Sequence, residues 1–409
     1  MSKRVKLLIT AMSAATLTST ATFADDTTEI LNGQINLDAA INVVAQVEAD
    51  QADASVMSAI GMANAATFDL ITPHDIENSQ TFSGNVASRA STTADIIDGM
   101  AVTTAIGLGN SASVMVDDGM DVNSAQTALD GASVSAEAEL AISSYAMHSL
   151  TTASAAANAY ESIAYGGETN LNLRQDSGAS VTADAFILAP TGGIGDSAIV
   201  LGTANGNSVS VEGYMGPSQI VTVDQDNRGR VSGRAFIEAG GGSVSTQAVA
   251  AANGNAVRIQ NEDGYAHLQG EQTNSGQVAS EARMVVGLYD VDTLSISSEG
   301  VGNSAILSNI GADAFMGLDQ TNTGTVNSTA SLQGQTGGNA ALFSTAYGNA
   351  ATSYICSDCP VTSYGDMNQL NSATINSTVN GQLGSGNAIS GTATAIGNAA
   401  TYQTVDPYQ

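Results

Sequence analysis

The chain has no tryptophan, and aromatic residues of all kinds make up only 4% of it. A membrane β-barrel needs an apolar outward face banded by aromatic girdles, which this composition does not supply. Two cysteines, Cys356 and Cys359, are too few for a disulfide framework or a four-ligand zinc site. Three histidines, His74, His148 and His267, stand at unrelated points of the sequence, so no metal-ligand cluster is expected. Lysine is confined to Lys3 and Lys6, which removes Schiff-base chemistry from the rest of the chain. There are only five prolines in 409 residues, as suits strands that need every backbone N–H for a ladder. Basic residues number 10 against 39 acids, for a net charge of −29. Such a surface repels nucleic acid and anionic membranes. Yet charged residues are only 12% and apolar residues 43%, which excludes the composition of a disordered polyanion.

What the chain does have is a period. Gln34, Gln80, Gln126, Gln175, Gln225, Gln272, Gln320 and Gln369 recur at intervals of 46 to 50 residues. Asn64, Asn110, Asn158, Asn207, Asn255, Asn303, Asn349 and Asn398 form a second series, one after each glutamine at a nearly constant offset, and most are directly preceded by glycine. One unit is thus written eight times. A period of that size marks a stacked architecture. Units begin near residues 29, 76, 120, 168, 217, 265, 315 and 361 and fill residues 25–404, with 405–409 as a short tail.

Inside the unit the period is two. Gln320, Asn322, Gly324, Val326, Ser328, Ala330 and Leu332 repeat as Gln272, Asn274, Gly276, Val278, Ser280, Ala282 and Met284, while the residues between them vary freely. A constant and a variable face alternating along the chain is extended structure. The fold class is therefore all-β: an elongated β-solenoid of eight units, each expected to make two rungs of short strands. At about 4.8 Å per rung, sixteen rungs would give roughly 75 Å and eight about half that. The repeated glutamines and asparagines are expected to point inward and stack as amide ladders. The early units fit less well: in the copy of Gln126 the valine, Val134, comes two residues late.

Residues 1–24 read as a cleaved secretion signal. They carry Lys3, Arg4 and Lys6, an apolar middle, and small residues at Thr22 and Ala24. No later run reaches the roughly 18 apolar residues of a membrane helix. In a secreted chain, a local Cys356–Cys359 disulfide pinning a turn is the expected use of the cysteines. Catalytic, cofactor and metal residues are expected to be absent. Gly192 to Asp196 falls one residue short of a calcium-binding nonapeptide and occurs once, whereas such sites come in tandem. Carboxylate pairs such as Asp117–Asp118 and Asp290 with Asp292 could serve a polysaccharide-cleaving β-helix, but solvated loop charges are the commoner use of such pairs.

Two resemblances follow from these motifs. Gln382-x-Gly384-x-x-Asn387 is similar to the curlin repeat core of bacterial surface fibres. The signal, the lysine depletion, the acidity, and the Gln-Thr-Asn-x-Gly-x-Val and Ala-x-Gly-Asn-Ala phrases (Ala346 to Ala350) together resemble the holdfast-anchor proteins of stalked alphaproteobacteria, in particular the D-type subunit. That resemblance implies a non-enzymatic protein secreted to the cell surface and associated with the outer membrane. It implies export through a curli-like outer-membrane pore, and extracellular polysaccharide and other surface anchor proteins as partners. A self-associating fibre subunit is the alternative, and a polysaccharide-cleaving enzyme the second alternative.

Overall fold

The computed structural model describes residues 6–11, 29–71, 74–241, 245–287, 292–356 and 361–405. Among them every regular element is a strand. Each repeated glutamine lies in a strand of eight to ten residues: Glu29–Asn36, Asp75–Phe82, Met120–Ala128, Glu168–Ser177, Ser218–Asn227, Ala266–Asn274, Ala314–Asn322 and Ser363–Asn371. These pair in chain order as one eight-stranded sheet, here called the glutamine sheet. All its pairings are parallel, and Gln34 faces Gln80, Gln80 faces Gln126, and so on to Gln369.

The remainder of each unit runs in a second sheet of twelve strands. After Gln225 it forms Val231–Gly241 and Ser245–Glu262; after Gln175 one unbroken strand, Ser180–Gly213, covers both stretches. Each stretch pairs in parallel with its equivalent one unit away: Val181 with Val231, Ser197 with Ser245, Asn207 with Asn255. The pairing period therefore equals the sequence period. Each unit makes one rung, not two. The unit is spent on three long sides, not on two coils of short strands, and a stack of eight glutamine strands is about 34 Å high from first to last at about 4.8 Å per step.

A rung is flattened. The glutamine strand and the stretch after it, such as Ser218–Asn227 and Val231–Gly241, lie on one side, and the long strand Ser245–Glu262 lies opposite. Along that long strand the alternation changes phase at Gly254–Asn255, where two successive residues are both buried. The phase change divides the interior into two apolar clusters. One holds Val231, Ala235, Ile237, Ala248, Ala250 and Ala252 with their equivalents. The other holds Val221, Val223, Val257 and Ile259 with theirs. The residues of the first cluster are small because its two layers lie very close: a Cβ on Gly233 would stand 2.2 Å from the Ala251 carbonyl oxygen. Toward the C-terminal end, serines bridge this gap. Ser298 meets Ser280 at 2.6 Å and Ser328 at 2.9 Å, and Ser344 meets Ser328 at 2.9 Å and Ser377 at 2.8 Å.

The late valine has a simple cause. Val134 pairs with Val86 and Val181, so register is kept. The additional residues form a turn at Asp130–Gly131, where Gly131 has φ of 85°. Glycine adopts that conformation without strain. The leader expected over residues 1–24 lies outside the described residues except for Lys6–Ala11. That segment pairs antiparallel with Val43–Glu48 on the free edge of the first rung. Cys356 ends the strand Val326–Cys356 and is half-buried, while Cys359, its expected disulfide partner, lies outside the described residues.

The two-faced strand makes a direct prediction. Val278 is fully buried and Thr325 is half-exposed on the other face. Val278→Asp should cost more than about 3 kcal/mol, because an unpaired charge enters a packed layer. Thr325→Asp should cost less than about 0.5 kcal/mol. Urea unfolding followed by far-ultraviolet circular dichroism measures both, and equal losses would remove the basis for the inward assignment.

Candidate functional site

The interior is built first, since it positions everything outside. All sixteen repeated amides point inward. From Gln80 onward each glutamine donates to the glutamine of the preceding rung, as Gln225 does to Gln175 at 2.8 Å. It also donates across the rung to the backbone carbonyl that follows its unit's asparagine: Gln225 to Ala256 at 3.1 Å, Gln272 to Ser304 at 3.0 Å. The asparagines do the reverse. Asn255 donates to Asn303 of the next rung at 2.8 Å and to the carbonyl of Thr273, the residue after the next glutamine, at 2.7 Å. From Gln34 with Ala65 to Gln369 with Ala399, the cross-rung bond recurs in every unit. A further ladder, Asn227, Asn274, Asn322 and Asn371, stands two residues after the later glutamines. It explains the glycine before the asparagines: a Cβ on Gly254 would come within 2.4 Å of Asn274 Oδ1. These amides are occupied with one another, so the inside is scaffold and the outward faces are left for recognition.

Outward residues of a parallel, in-register stack form columns along the rod. On the glutamine sheet four columns lie side by side. The first carries rings: Ile220, His267, Phe315 and Tyr364 are in register. His267 and Phe315 have ring centroids 4.6 Å apart, Tyr265 packs edge-on against His267 at 5.9 Å, and Tyr364 is 61% exposed. The second is a polar column, where Asn172 donates to Asn123 at 3.2 Å, Asn123 to Glu77 at 2.7 Å and Gln269 to Thr222 at 3.1 Å. The third is acidic, with Asp224, Glu271 and Asp319 on adjacent strands. Arg174 stands 3.7 Å from Asp224 at one end of that run, and Asn368 donates to Asp319 at 2.9 Å at the other. The fourth reads Ile35, Thr81, Thr127, Asp176, Asp226, Thr273, Thr321 and Leu370. Near the first rungs a shallow groove of about 480 Å³ runs across this face between Leu31, Glu77, Asn123 and Arg174.

The opposite edge of the molecule shows another chemistry. On the stretch after the glutamine strand, Arg89, Glu137, Asp184, Arg234 and Glu281 form one column. Arg89 lies 3.2 Å from Glu137, and Arg234 lies 3.8 Å from both Asp184 and Glu281. Beside it, Arg234 sits 5.7 Å from the ring centre of Phe186, and Arg283 sits 5.5 Å from that of Phe236. The guanidinium groups thus cover the two rings and are attracted to their faces. This side of the molecule satisfies its own charges. Burial pushes the Asp184 carboxyl above its ordinary 3.8; Arg234 opposes the rise, and Glu137 and Glu281 add to it. The folded chain then holds this proton more tightly than the unfolded one. Stability is lost as pH rises through that raised value and regained as pH falls toward 3.8, by linkage of proton binding to folding. The melting temperature of the protein should therefore climb as the buffer is acidified below neutrality, and Asp184→Asn should flatten part of the climb. A melting temperature that falls over the same range would contradict the assignment.

The residues weighed for catalysis do not converge. Asp117 and Asp118 are exposed in the turn before Gly119, and Asp290 lies outside the described residues. His148 stands 3.1 Å from Ser197 and 3.6 Å from Asp196 on the surface, and His267 belongs to the ring column. Among the described residues no three His, Cys, Asp or Glu side chains gather as metal ligands. Sequence reading missed the serine bridge and the outward columns, while the ladder through Asn274 and Asn322 falls on the constant face that the sequence marks as inward. The columns become visible only when the eight glutamine strands are aligned on their glutamines.

Comparison with known proteins adds one finding. Residues 49–327 match the family described as Holdfast attachment protein D, a span that includes six of the eight glutamines. No curated protein and no solved structure matches the chain. Over most of its length, and through the same rungs that build the glutamine sheet, the chain belongs to the Holdfast attachment protein D family.

Proposed function

We propose that the protein is a non-enzymatic anchor on the cell surface that holds adhesive extracellular polysaccharide at the outer membrane. The observation that carries this reading is the outer face of the glutamine sheet. Rings, amides and carboxylates stand there in parallel columns about 4.8 Å apart along the rod. That step is close to the length of a sugar unit in an extended polysaccharide. Exposed rings take the apolar faces of sugars, the amides and Thr222 take hydroxyls, and Glu271 with Asp319 suits the ammonium group of a deacetylated amino sugar. Each contact is weak and exposed. Repetition along a rigid rod makes the second and later contacts intramolecular, which multiplies affinity without any deep pocket. The family's attachment role supports the same reading. Export through a curli-like outer-membrane pore and contact with other surface anchor proteins complete the proposal.

The test has two parts. Cells lacking the gene should shed adhesive polymer into the medium while still making it, as lectin staining of cells and supernatant would reveal. Purified protein should retain a soluble polyglucosamine on a surface, less so as salt is raised, because exposed charge pairs are screened over about 10 Å at 0.1 M. Phe315→Ala combined with Tyr364→Ala should weaken retention at least about tenfold, losing about 1–1.5 kcal/mol per ring. Both side chains face outward, so the circular dichroism spectrum should not change. Mutant cells that stay attached, or polymer that is shortened instead of held, would overturn the anchor reading; shortening would favour the enzyme alternative.

A further inference from the structure

Aromatic residues make up only 4% of the chain, and few of them touch. Among the described residues, Tyr165 and Tyr214 are the one pair of phenols in contact: their ring centroids lie 6.0 Å apart and their planes within 28° of parallel. The other ring contacts join Tyr265 to His267, His267 to Phe315 and Phe186 to Phe236. Tyr165 and Tyr214 are the first residues beyond the long strands Ser133–Ala164 and Ser180–Gly213, at the turns that lead to the next rung. Their backbones still belong to the ladder: the Tyr165 N–H donates to the Val116 carbonyl at 3.0 Å, and the Tyr214 N–H to the Ala164 carbonyl at 2.9 Å. The parallel register that aligns the amides therefore also holds these two rings one rung apart. Tyr165 is 37% exposed and Tyr214 is half-buried, so small molecules in solvent reach both.

A second observation concerns the proton. The Tyr214 hydroxyl donates to Glu212 Oε2 at 2.7 Å, and no arginine competes for Glu212 among the ion pairs of the described residues. The Tyr214 phenol is held above its ordinary 10.0, first by that hydrogen bond, then by burial, and then by the charges of Glu212 and Glu262 and by Tyr165. It therefore keeps its proton at neutral pH, and a carboxylate stands at bonding distance to receive it. One-electron oxidation of a phenol needs such an acceptor, because the oxidised ring is a strong acid until its hydroxyl proton leaves. The pair thus combines a phenol, a base for its proton and a second phenol stacked against it. We propose that Tyr165 and Tyr214 form a site of oxidative cross-linking, joined ring to ring by a carbon–carbon bond that staples the third rung to the fourth.

The oxidant is hydrogen peroxide acting through a peroxidase. Each phenol gives up one electron and its hydroxyl proton, Tyr214 to Glu212 Oε2 and Tyr165 to water. The two phenoxyl radicals couple between the ring carbons beside each hydroxyl. The hydrogens on those carbons then move by way of solvent to the phenolic oxygens, which restores both phenols. Two hydrogens have left the pair as two protons and two electrons, and these reduce one hydrogen peroxide to two waters. The bond closes a loop of one whole unit. It restrains the unfolded chain as a disulfide does, and more strongly for a long loop than for a short one. This inference does not depend on the polymer ligand, and its test contains no polysaccharide.

The folded protein treated with a haem peroxidase and hydrogen peroxide should gain the fluorescence of dityrosine and melt at a higher temperature. Proteolysis and mass spectrometry should find the Tyr165 and Tyr214 peptides joined, lighter than their sum by two hydrogens. A mixture of ordinary and isotope-labelled protein should give joined peptides of one isotope only, because the bond forms within a chain. Tyr165→Phe and Tyr214→Phe should each abolish the joined peptide. Glu212→Gln keeps both phenols but removes the base, and should slow the joining by about tenfold or more; an equal rate would overturn the role of Glu212. Tyr364→Phe changes an exposed ring outside the pair and should leave the yield unchanged. Unchanged circular dichroism before treatment would confirm that each variant is folded. Peroxide also oxidises exposed thioethers, and Met215 is 80% exposed. Sulfoxide at Met215 with no joined peptide would overturn the proposal, as would a Tyr165–Tyr214 yield no greater than that of cross-links through Tyr364.

Discussion

A buried amide must satisfy two donors and an acceptor, and this fold depends on how the glutamines and asparagines do so together. Each glutamine reaches across the rung to the carbonyl after an asparagine, and each asparagine reaches back to the carbonyl after the next rung's glutamine or, for Asn398 in the last rung, to the carbonyl of Gln369 itself. The exchange fixes three things at once. It sets the distance between the two layers, since both side chains must span it. It sets the register between rungs, since each amide also bonds its equivalent one unit away. It separates the two apolar clusters, which lie on either side of the amide seam. Moving one strand by a single residue would turn the amides to solvent and leave buried carbonyls unpaired, at a cost of about 1–3 kcal/mol for each orphaned group. Multiplied over the stack, that penalty makes the alignment of the rungs unambiguous.

The sequence carried this much because period two and the unit length are both written in residue identity. The inward positions of Val278, Val326, Gln272 and Gln320 could be read directly, and all four are buried. The number of rungs per unit could not. Alternation looks the same whether a unit coils once or twice, and the deciding quantity is which residue pairs with which. The phase change at Gly254–Asn255 was equally hidden, because a corner that keeps extended backbone leaves no proline and no turn motif. The serine bridge through Ser298 also went unseen: it joins Ser280 and Ser328, which lie on the other layer and far away along the chain, and no local pattern links them. The outward columns were opaque for a related reason. They are built from one variable residue per unit, and variability along the chain conceals order along the axis.

That variability is where the rungs stop being equivalent. The inside of the glutamine sheet keeps its glutamine in every rung from Gln34 to Gln369, while its outside passes from amides and acids in the early rungs to rings in the later ones. An in-register stack places every outward residue about 4.8 Å from its two equivalents, so like charges on successive rungs repel and opposite charges pair. The chain uses its few arginines accordingly. Arg89 and Arg234 interrupt the acids of one column, and Arg228 gathers Asp130, Asp176 and Asp226. Glu271 and Asp319 receive no arginine among the ion pairs of the described residues. They lie beside the ring column, where the fold holds negative charge that it does not itself neutralise.

A scaffold whose cross-section is fixed by buried amides can change its surface one column at a time. The cross-rung bonds involve backbone carbonyls and constant side chains only, so a substitution at an outward position leaves them intact. Rigidity follows from the same bonds, because no rung can shift without breaking its amide contacts to both neighbours. For the polymer anchor proposed above, rigidity would matter more than the strength of any single contact. A flexible arm would lose conformational entropy again with every sugar it engaged. A rod about 34 Å high holds outward groups at fixed separations, so in the proposed anchor the cost of alignment would be met mainly when the first sugars bind, and each further rung would add attraction at little further cost.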